Sequence, residues 1–506
     1  MVVIMVVRWV WKMVKWLWLN PKRLEKLLRD QGLQANPYRF WVGDLAKMVN
    51  MQEQAKSMPL HPHPHDLVPR ISPFVHHTVT KYGKNSFMWY GPTPSLILTN
   101  PEQIKEVFNK YHEFTRGHMN PLMYYLSPGL VTYEGDQWAK LRRKMINPAF
   151  SLDKLKALIP TFAQSYNGMI REWEKMVSLS DDGTSEEVDV WPWFSNMSRD
   201  VISKAAVGSS YEEGRQIFDL ITEQTQLVSY HQHRYYLPFW RFVHAKDKRR
   251  MEGIDRTVNE SLKGIIQKKE KALKAGEATK NDILGRLIES NLKGTTELSM
   301  MDLIEECKLF YFAGQETTST FLVWTIMLLS RHLDWQTRAR DEVLQVFGKQ
   351  TPDFDGLSRL TIVNMILYEV LRLYPPATYT DKLAEKDMKL GNLYVPAGVQ
   401  IYIPLLMLNH DQETWGSDAK EFKPERFREG ISKAGKGNSV AFFPFGWGPR
   451  ICIGQNFALF EVKTALSLIL QRFWFELSPS YSHAPSLAMA MRPKHGIHVI
   501  LHKLES

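Results

Sequence analysis

The 506-residue sequence predicts one large, mainly helical domain with small β-sheets, behind an N-terminal membrane-associated helix. Three observations predict it. Stretches with apolar residues at three- and four-residue spacing follow one another from about residue 101 onward. Strand-like runs are short, lie near residues 87–99 and 391–403, and are bounded by Gly or Pro. No internal repeat or long linker splits the body, so residues 31–506 form one domain and residues 1–30 a membrane anchor or interfacial helix.

The N-terminal element is rich in Val, Ile, Met, Leu and Trp, but only seven apolar residues precede Arg8. Lys12 and Lys15 follow at steps of four and three, which puts the three cations on one helix face. A spanning helix needs about 20 mostly apolar residues. The cationic face, with Trp9, Trp11, Trp16 and Trp18, fits a helix lying in a membrane interface; spanning stays open. Lys22, Arg23, Lys26 and Arg29 would hold the next segment on the cytoplasmic side. No small-residue cleavage site follows, so a removed signal peptide is not expected.

Residues 57–73, with His61, His63 and His65 alternating with prolines, predict an extended linker; no Cys or acid stands at ligand spacing to make those histidines a metal site. Strands are predicted over 87–90 and 95–99 around Gly91-Pro92, and over 391–395 and 399–403. Helices are predicted over 101–110, 137–145, 152–177, 201–206, 211–229, 248–275 and 361–373. The segment 231–247 mixes Tyr235, Tyr236, Phe239 and Trp240 with bases, and suits an access lid or plain packing equally.

A net charge of +10 admits nucleic acid, a membrane surface or an acidic protein as partner. Without an arginine-rich tail, zinc-finger spacing or aromatic RNA signature, nucleic acid is not expected. Two cysteines, Cys307 and Cys452, are too few for a disulfide scaffold and point to a reducing compartment.

The chemistry gathers around Cys452, in the run Phe445-Gly446-Trp447-Gly448-Pro449-Arg450-Ile451-Cys452-Ile453-Gly454, just before a helical pattern at 455–468. Glycines permit turns closed to other residues. A cysteine before a helix start meets the positive end of the dipole, which favours the thiolate, a good metal ligand. Upstream, Ser299 with Asp302 predicts a capped helix to about His332. It contains Ala313-Gly314-Gln315-Glu316-Thr317-Thr318, where the small residues leave room for a flat ligand. Thr317 can return its hydroxyl to the Ala313 carbonyl and open a bulge. Glu316 and Thr317 together can move protons through water. Glu369 and Arg372 share a helix face, Arg426 follows in Phe422-Lys423-Pro424-Glu425-Arg426-Phe427, and Trp138 and Arg142 share a face earlier.

In this order the four motifs resemble those of the cytochrome P450 superfamily, from about residue 30 onward. The longer phrases Glu305 to Glu316 and Phe443 to Arg450 resemble a plant family containing secologanin synthase, 7-deoxyloganic acid hydroxylase, and gibberellin and triterpenoid oxidases. The resemblance implies a haem-thiolate monooxygenase carrying haem b, with Cys452 as iron ligand in a loop framed by Phe445 and Gly454. It implies that Arg450, Trp138 and Arg142 contact the haem propionates, and that Glu369, Arg372 and Arg426 lock the core behind the haem. Glu316 and Thr317 would deliver protons. Ala313, Gly314, Ala377, Thr378 and Met489, with residues 115–130, would line the pocket. It further implies a small apolar terpenoid substrate, O2, and electrons from NADPH through NADPH–cytochrome P450 reductase. Lys140, Arg143 and Lys144, on other faces of the Trp138 helix, suit a basic patch that docks such a reductase and plain solvation equally. The location would be the endoplasmic reticulum membrane, with the catalytic domain on its cytosolic face. Alternatives are an isomerase or dehydratase working without O2, and a non-catalytic haem-binding protein; an intact Glu316-Thr317 pair argues against both. The N-terminus and Met489-Ala490-Met491-Arg492 depart from the usual plant pattern, so the substrate of no single relative carries over.

Overall fold

Ser299 starts the longest helix among the described residues. Its hydroxyl accepts from the Asp302 amide at 3.1 Å while the Asp302 carboxylate accepts from the Ser299 amide at 2.7 Å, the expected capping box. In the computed structural model, which describes residues 1–57, 65–116, 120–135, 138–139, 146–208, 211–237, 239–277, 282–294, 298–436 and 441–504, this helix runs Met300–Arg331. At about 1.5 Å per residue it is long enough to cross the whole core. It is apolar almost all round and buried through most of its length, as a helix enclosed on every side must be.

Helices Leu152–Leu179, Val190–Ala206, Thr361–Leu373 and Gln455–Leu470 share one apolar core with it. Trp324 is fully buried there, stacked on Tyr374 at 4.5 Å, with its indole N–H donated to the Met491 carbonyl at 2.6 Å. Tyr211–His231 and Ala245–Lys274 cover one side. The expected helix over 137–145 lies almost wholly outside the described residues.

The sheets are small. The largest has five strands in the spatial order Ser86–Tyr90, Thr93–Ile97, Gln400–Ile403, Thr380–Ala384, Phe114–Thr115. The first two form an antiparallel hairpin with Ser86 opposite Ile97, and Thr93–Ile97 then pairs parallel with Gln400–Ile403. The rest of that sheet is antiparallel. Its apolar face packs with Leu24 and Leu28 of helix Asn20–Arg29 in a second cluster that includes Phe87, Trp89 and Ile401. The expected strand over 391–395 is shorter, Leu393–Val395, and pairs with Met388–Leu390.

One expectation needs correction. The part of the expected linker that is described, residues 65–73, is packed: Leu67, Val68 and Ile71 are buried and Val68–Ile71 is helical. Its apolar residues outweigh the proline signal. His65 is buried with its Nδ1 2.7 Å from the Tyr374 hydroxyl, while His61 and His63 lie outside the described residues. At the N-terminus, helix Val2–Val14 is exposed and passes through a π-helical turn, Lys15–Leu19, into Asn20–Arg29. Among the described residues no helix is long and apolar enough to cross a membrane.

Candidate active site

Cys452 lies between two tight turns and a helix start. Its amide donates to the Phe445 carbonyl at 2.8 Å, and Gly446 (φ 77°) and Gly448 (φ 69°) take left-handed conformations. A Cβ on Gly448 would come within 2.8 Å of Asn109 Oδ1 and 3.1 Å of the Phe108 carbonyl, so close approach of the chain also requires glycine there. Gly454 is the N-cap residue of Gln455–Leu470, and a Cβ on it would meet the Cys452 sulfur at an ordinary 3.8 Å. The Cys452 side chain is exposed beside that helix start, where the dipole favours thiolate. Cys307 is the opposite case: buried, with its thiol pushed well up by desolvation and by the nearby Glu306.

On the central helix, Ala313 and Thr317 are the only exposed residues between Asp302 and Arg331, and their spacing of four puts them on one face. The Thr317 hydroxyl donates to the Ala313 carbonyl at 2.7 Å, as expected. The expected bulge is absent, because that bond forms without breaking the α-helix, which is continuous through Met300–Arg331. Glu316 turns inward: it is buried, its Oε1 has no partner among the described residues, and desolvation raises its pKa, with Arg492 and Arg199 opposing. Gly314 does not line the cavity. A Cβ there would lie 2.6 Å from Ile202 Cγ1, so this glycine serves the close crossing of Val190–Ala206.

A cavity of about 700 Å³ reaches this face, with Leu309, Phe312 and Ala313 on one wall and Ala377, Thr378 and Met489 on others. From the expected 115–130 stretch, Arg116, Asn120, Met123 and Ser127 contribute.

Cations collect at one edge. Arg450 Nη2 donates to the Tyr133 carbonyl at 2.7 Å, pairs with Glu134, and lies 4.3 Å over the Trp138 ring. Trp138 itself is buried against Tyr111, 5.0 Å between ring centroids. The Arg116 amide donates to Glu134 at 3.0 Å, and its Nε is buried without a partner among the described residues. Lys382 is buried, and desolvation, together with Arg116 and Arg450, pushes its pKa down to about 7. Arg142, like Lys140, Arg143 and Lys144, lies outside the described residues.

Glu369, Arg372 and Arg426 come together as expected. Arg372 grips the Glu369 carboxylate with Nε at 2.7 Å and Nη2 at 2.8 Å, both side chains fully buried. Arg426 Nε stands 3.5 Å from Glu369.

Residues 69–501 match the family described as Cytochrome P450. The chain belongs to the cytochrome P450 family. Plant relatives align over nearly their whole length. An "11-oxo-beta-amyrin 30-oxidase" of Glycyrrhiza uralensis is 53% identical over 98% of this chain and 96% of its own. A protein of the same name from Medicago truncatula is 51% identical over 98% and 95%. "Cytochrome P450 72A15" of Arabidopsis thaliana is 51% identical over 98% and 96%.

The chain is thus a P450 monooxygenase, and the family implies haem iron. Sequence reasoning missed two residues of this P450, Arg116 and Lys382. Each lies in or beside a short strand of the five-stranded sheet, and an isolated Arg or Lys in a sequence is ordinarily solvated. The run Thr-Asp-Lys-Leu-Ala at 380–384 has no apolar/polar alternation, so the sequence carries no strand signal that could have marked either residue.

Proposed function

We propose that this P450 oxidises a C–H bond of a plant terpenoid, a β-amyrin-type triterpenoid foremost, with O2 and with electrons from NADPH through a reductase. The names of the two triterpenoid oxidases that align from end to end support the substrate class. So does a cavity of about 700 Å³, within the size range of pockets that enclose small organic ligands. The observation that carries the reading is the union, in one chain, of a helix-start cysteine with the exposed Ala313–Thr317 pair of the central helix, whose Ala313 lines that cavity.

The residues fit a flat, doubly anionic macrocycle. Cys452 would hold the iron; Arg116, Lys382, Arg450 and Trp138 would hold the acidic edge, and the orphaned Arg116 Nε is a donor ready for it. Held by a cysteine thiolate, haem supplies O2 activation with O–O cleavage. The protein's own residues do the rest. Ala313 offers an uncrowded surface for the substrate. Thr317, its proton engaged at the Ala313 carbonyl, keeps oxygen lone pairs free to accept from water. Glu316 beside it, raised by burial, keeps a proton to pass on at a higher pH than an ordinary carboxyl would. The Glu369–Arg372–Arg426 set holds the chain behind the cysteine loop. The exposed Val2–Val14 helix would lie at the cytosolic surface of the endoplasmic reticulum membrane.

The test is incubation of the membrane-bound protein and a reductase with 11-oxo-β-amyrin, iridoids and gibberellins. Expected is an oxygenated triterpenoid that requires NADPH, and none from Cys452→Ser. Product formed without NADPH or reductase would overturn the reading in favour of an isomerase or dehydratase.

A further inference from the structure

The cavity lined by Ala313 is lined also by Trp16, Asn20, Arg23 and Leu24 of the N-terminal helix. Positions 16, 20, 23 and 24 share one helix face. That face is fixed to the body of the protein. Leu17 is buried and its carbonyl accepts from the Tyr38 hydroxyl at 2.7 Å; the buried Glu25 accepts from Arg29 at 3.1 Å and from the Tyr38 amide at 3.3 Å. The π-helical turn Lys15–Leu19 interrupts the α-helix at this level, a rare feature that is frequent at functional sites.

Arg23 is exposed, and among the described residues it makes no hydrogen bond or ion pair. Asp387, the acid whose charge it feels, is already held by the Ala397 amide at 2.8 Å and by the Tyr394 hydroxyl. The Asn20 side chain, one turn away on the same face, is likewise uncommitted among the described residues. The cavity wall therefore joins an apolar stretch at Leu309, Phe312 and Ala313 with a cation and an amide from the N-terminal helix.

We propose that Arg23, assisted by Asn20, is the far subsite of the active-site cavity and binds an acceptor oxygen, a carboxylate above all, on an elongated apolar ligand whose opposite end lies against Ala313. A guanidinium fork matches a carboxylate in two hydrogen bonds, and the Trp16 ring covers apolar surface next to it. The N-terminal helix is then part of the binding site as well as a means of attachment. The proposal rests on the terpenoid reading only for the identity of the ligand.

Spectral titration of the full-length holoenzyme with ω-imidazolyl alkanoic acids of increasing chain length tests it, with 1-alkylimidazoles of matched length as controls. Imidazole ligates iron whatever the natural substrate. Expected is one chain length at which the acid binds about tenfold tighter than its control, as one charge-assisted contact allows. Arg23→Ala should erase that preference while leaving the alkylimidazoles unchanged, and Arg23→Lys should keep part of it. A preference that survives Arg23→Ala, an acid series with no preference in the unaltered protein, or an equal loss for acids and controls overturns the subsite. If 11-oxo-β-amyrin, iridoids and gibberellins all fail to bind while the acid pattern holds, the terpenoid reading falls and the subsite stands.

Discussion

The Thr317 hydroxyl donates to the Ala313 carbonyl at 2.7 Å, and these two residues are the exposed pair of the central helix between Asp302 and Arg331. The bond fixes the rotamer and leaves the oxygen free to act as an acceptor. Thr317→Val keeps the shape and removes the hydroxyl. It should lower the rate of product formation by about 10²-fold, the range of a lost proton-transfer group, with NADPH still consumed. Thr317→Ser should keep most of the rate. The measurement is product formed per NADPH oxidised; an unchanged ratio in the valine variant would remove Thr317 from proton delivery.

Arg372 makes five hydrogen bonds from a fully buried position: two to Glu369 and one each to the carbonyls of Asn409, Ala419 and Glu421. A lysine has one nitrogen and cannot reproduce that fork. Glu369→Ala strands Arg372 and Arg426 without their shared carboxylate, and breaking a buried pair in this way costs about 3–5 kcal/mol. Both Glu369→Ala and Arg372→Lys should therefore lower the melting temperature and the haem content of purified protein. Normal haem content with an unchanged melting temperature would deny the set its structural role.

How much of this was legible in the sequence depended on range. The Ser299–Asp302 cap, the Thr317 bond to Ala313 and the Glu369–Arg372 pair each span three or four residues, where helix geometry alone decides contact. Arg116 and Lys382 meet only because Phe114–Thr115 pairs with Thr380–Ala384, and nothing local encodes that pairing. Gly314 was misread for a related reason: a glycine signals close approach but not the direction it comes from, and here the approach is Ile202. The Pro-His alternation of residues 61–65 hid Leu67, Val68 and Ile71 just after it, whose burial decides the structure of residues 65–73.

Gly314 thus yields a packing prediction. Alanine there would put a methyl 2.6 Å from Ile202 Cγ1 and 3.1 Å from its Cβ, so rotation of the Ile202 side chain cannot relieve the clash fully. Gly314→Ala should destabilise by about 1–3 kcal/mol, the cost of overpacking a close helix crossing, despite the higher helix propensity of alanine. Ile202→Ala frees the same space. The double variant should be more stable than the sum of the two single effects implies, read from denaturant unfolding as a double-mutant cycle. Additive effects would place the glycine requirement elsewhere.

Glu461 is 1% exposed within Gln455–Leu470, accepts from the Tyr166 hydroxyl at 3.0 Å, and has an Oε2 without a partner among the described residues. Desolvation raises its pKa from 4.5 to about 8, only partly opposed by the hydroxyls of Tyr166 and Ser198. The folded protein therefore keeps a proton that the unfolded chain has lost. Its contribution to stability is complete below the unfolded value and declines as pH rises toward the folded one. Glu461→Gln keeps the shape and stops the titration, so unfolding free energy should fall less steeply between about pH 5 and about 8, with a gain on the order of a few kcal/mol at the upper end. Glu306, raised to about 8 chiefly by the same desolvation, leaves a residual slope that Glu306→Gln should remove in turn. Urea unfolding of the holoenzyme across that range is the measurement. Parallel profiles for the unaltered protein and Glu461→Gln would mean that Glu461 is ionised when folded, its charge met by water entering between the helices.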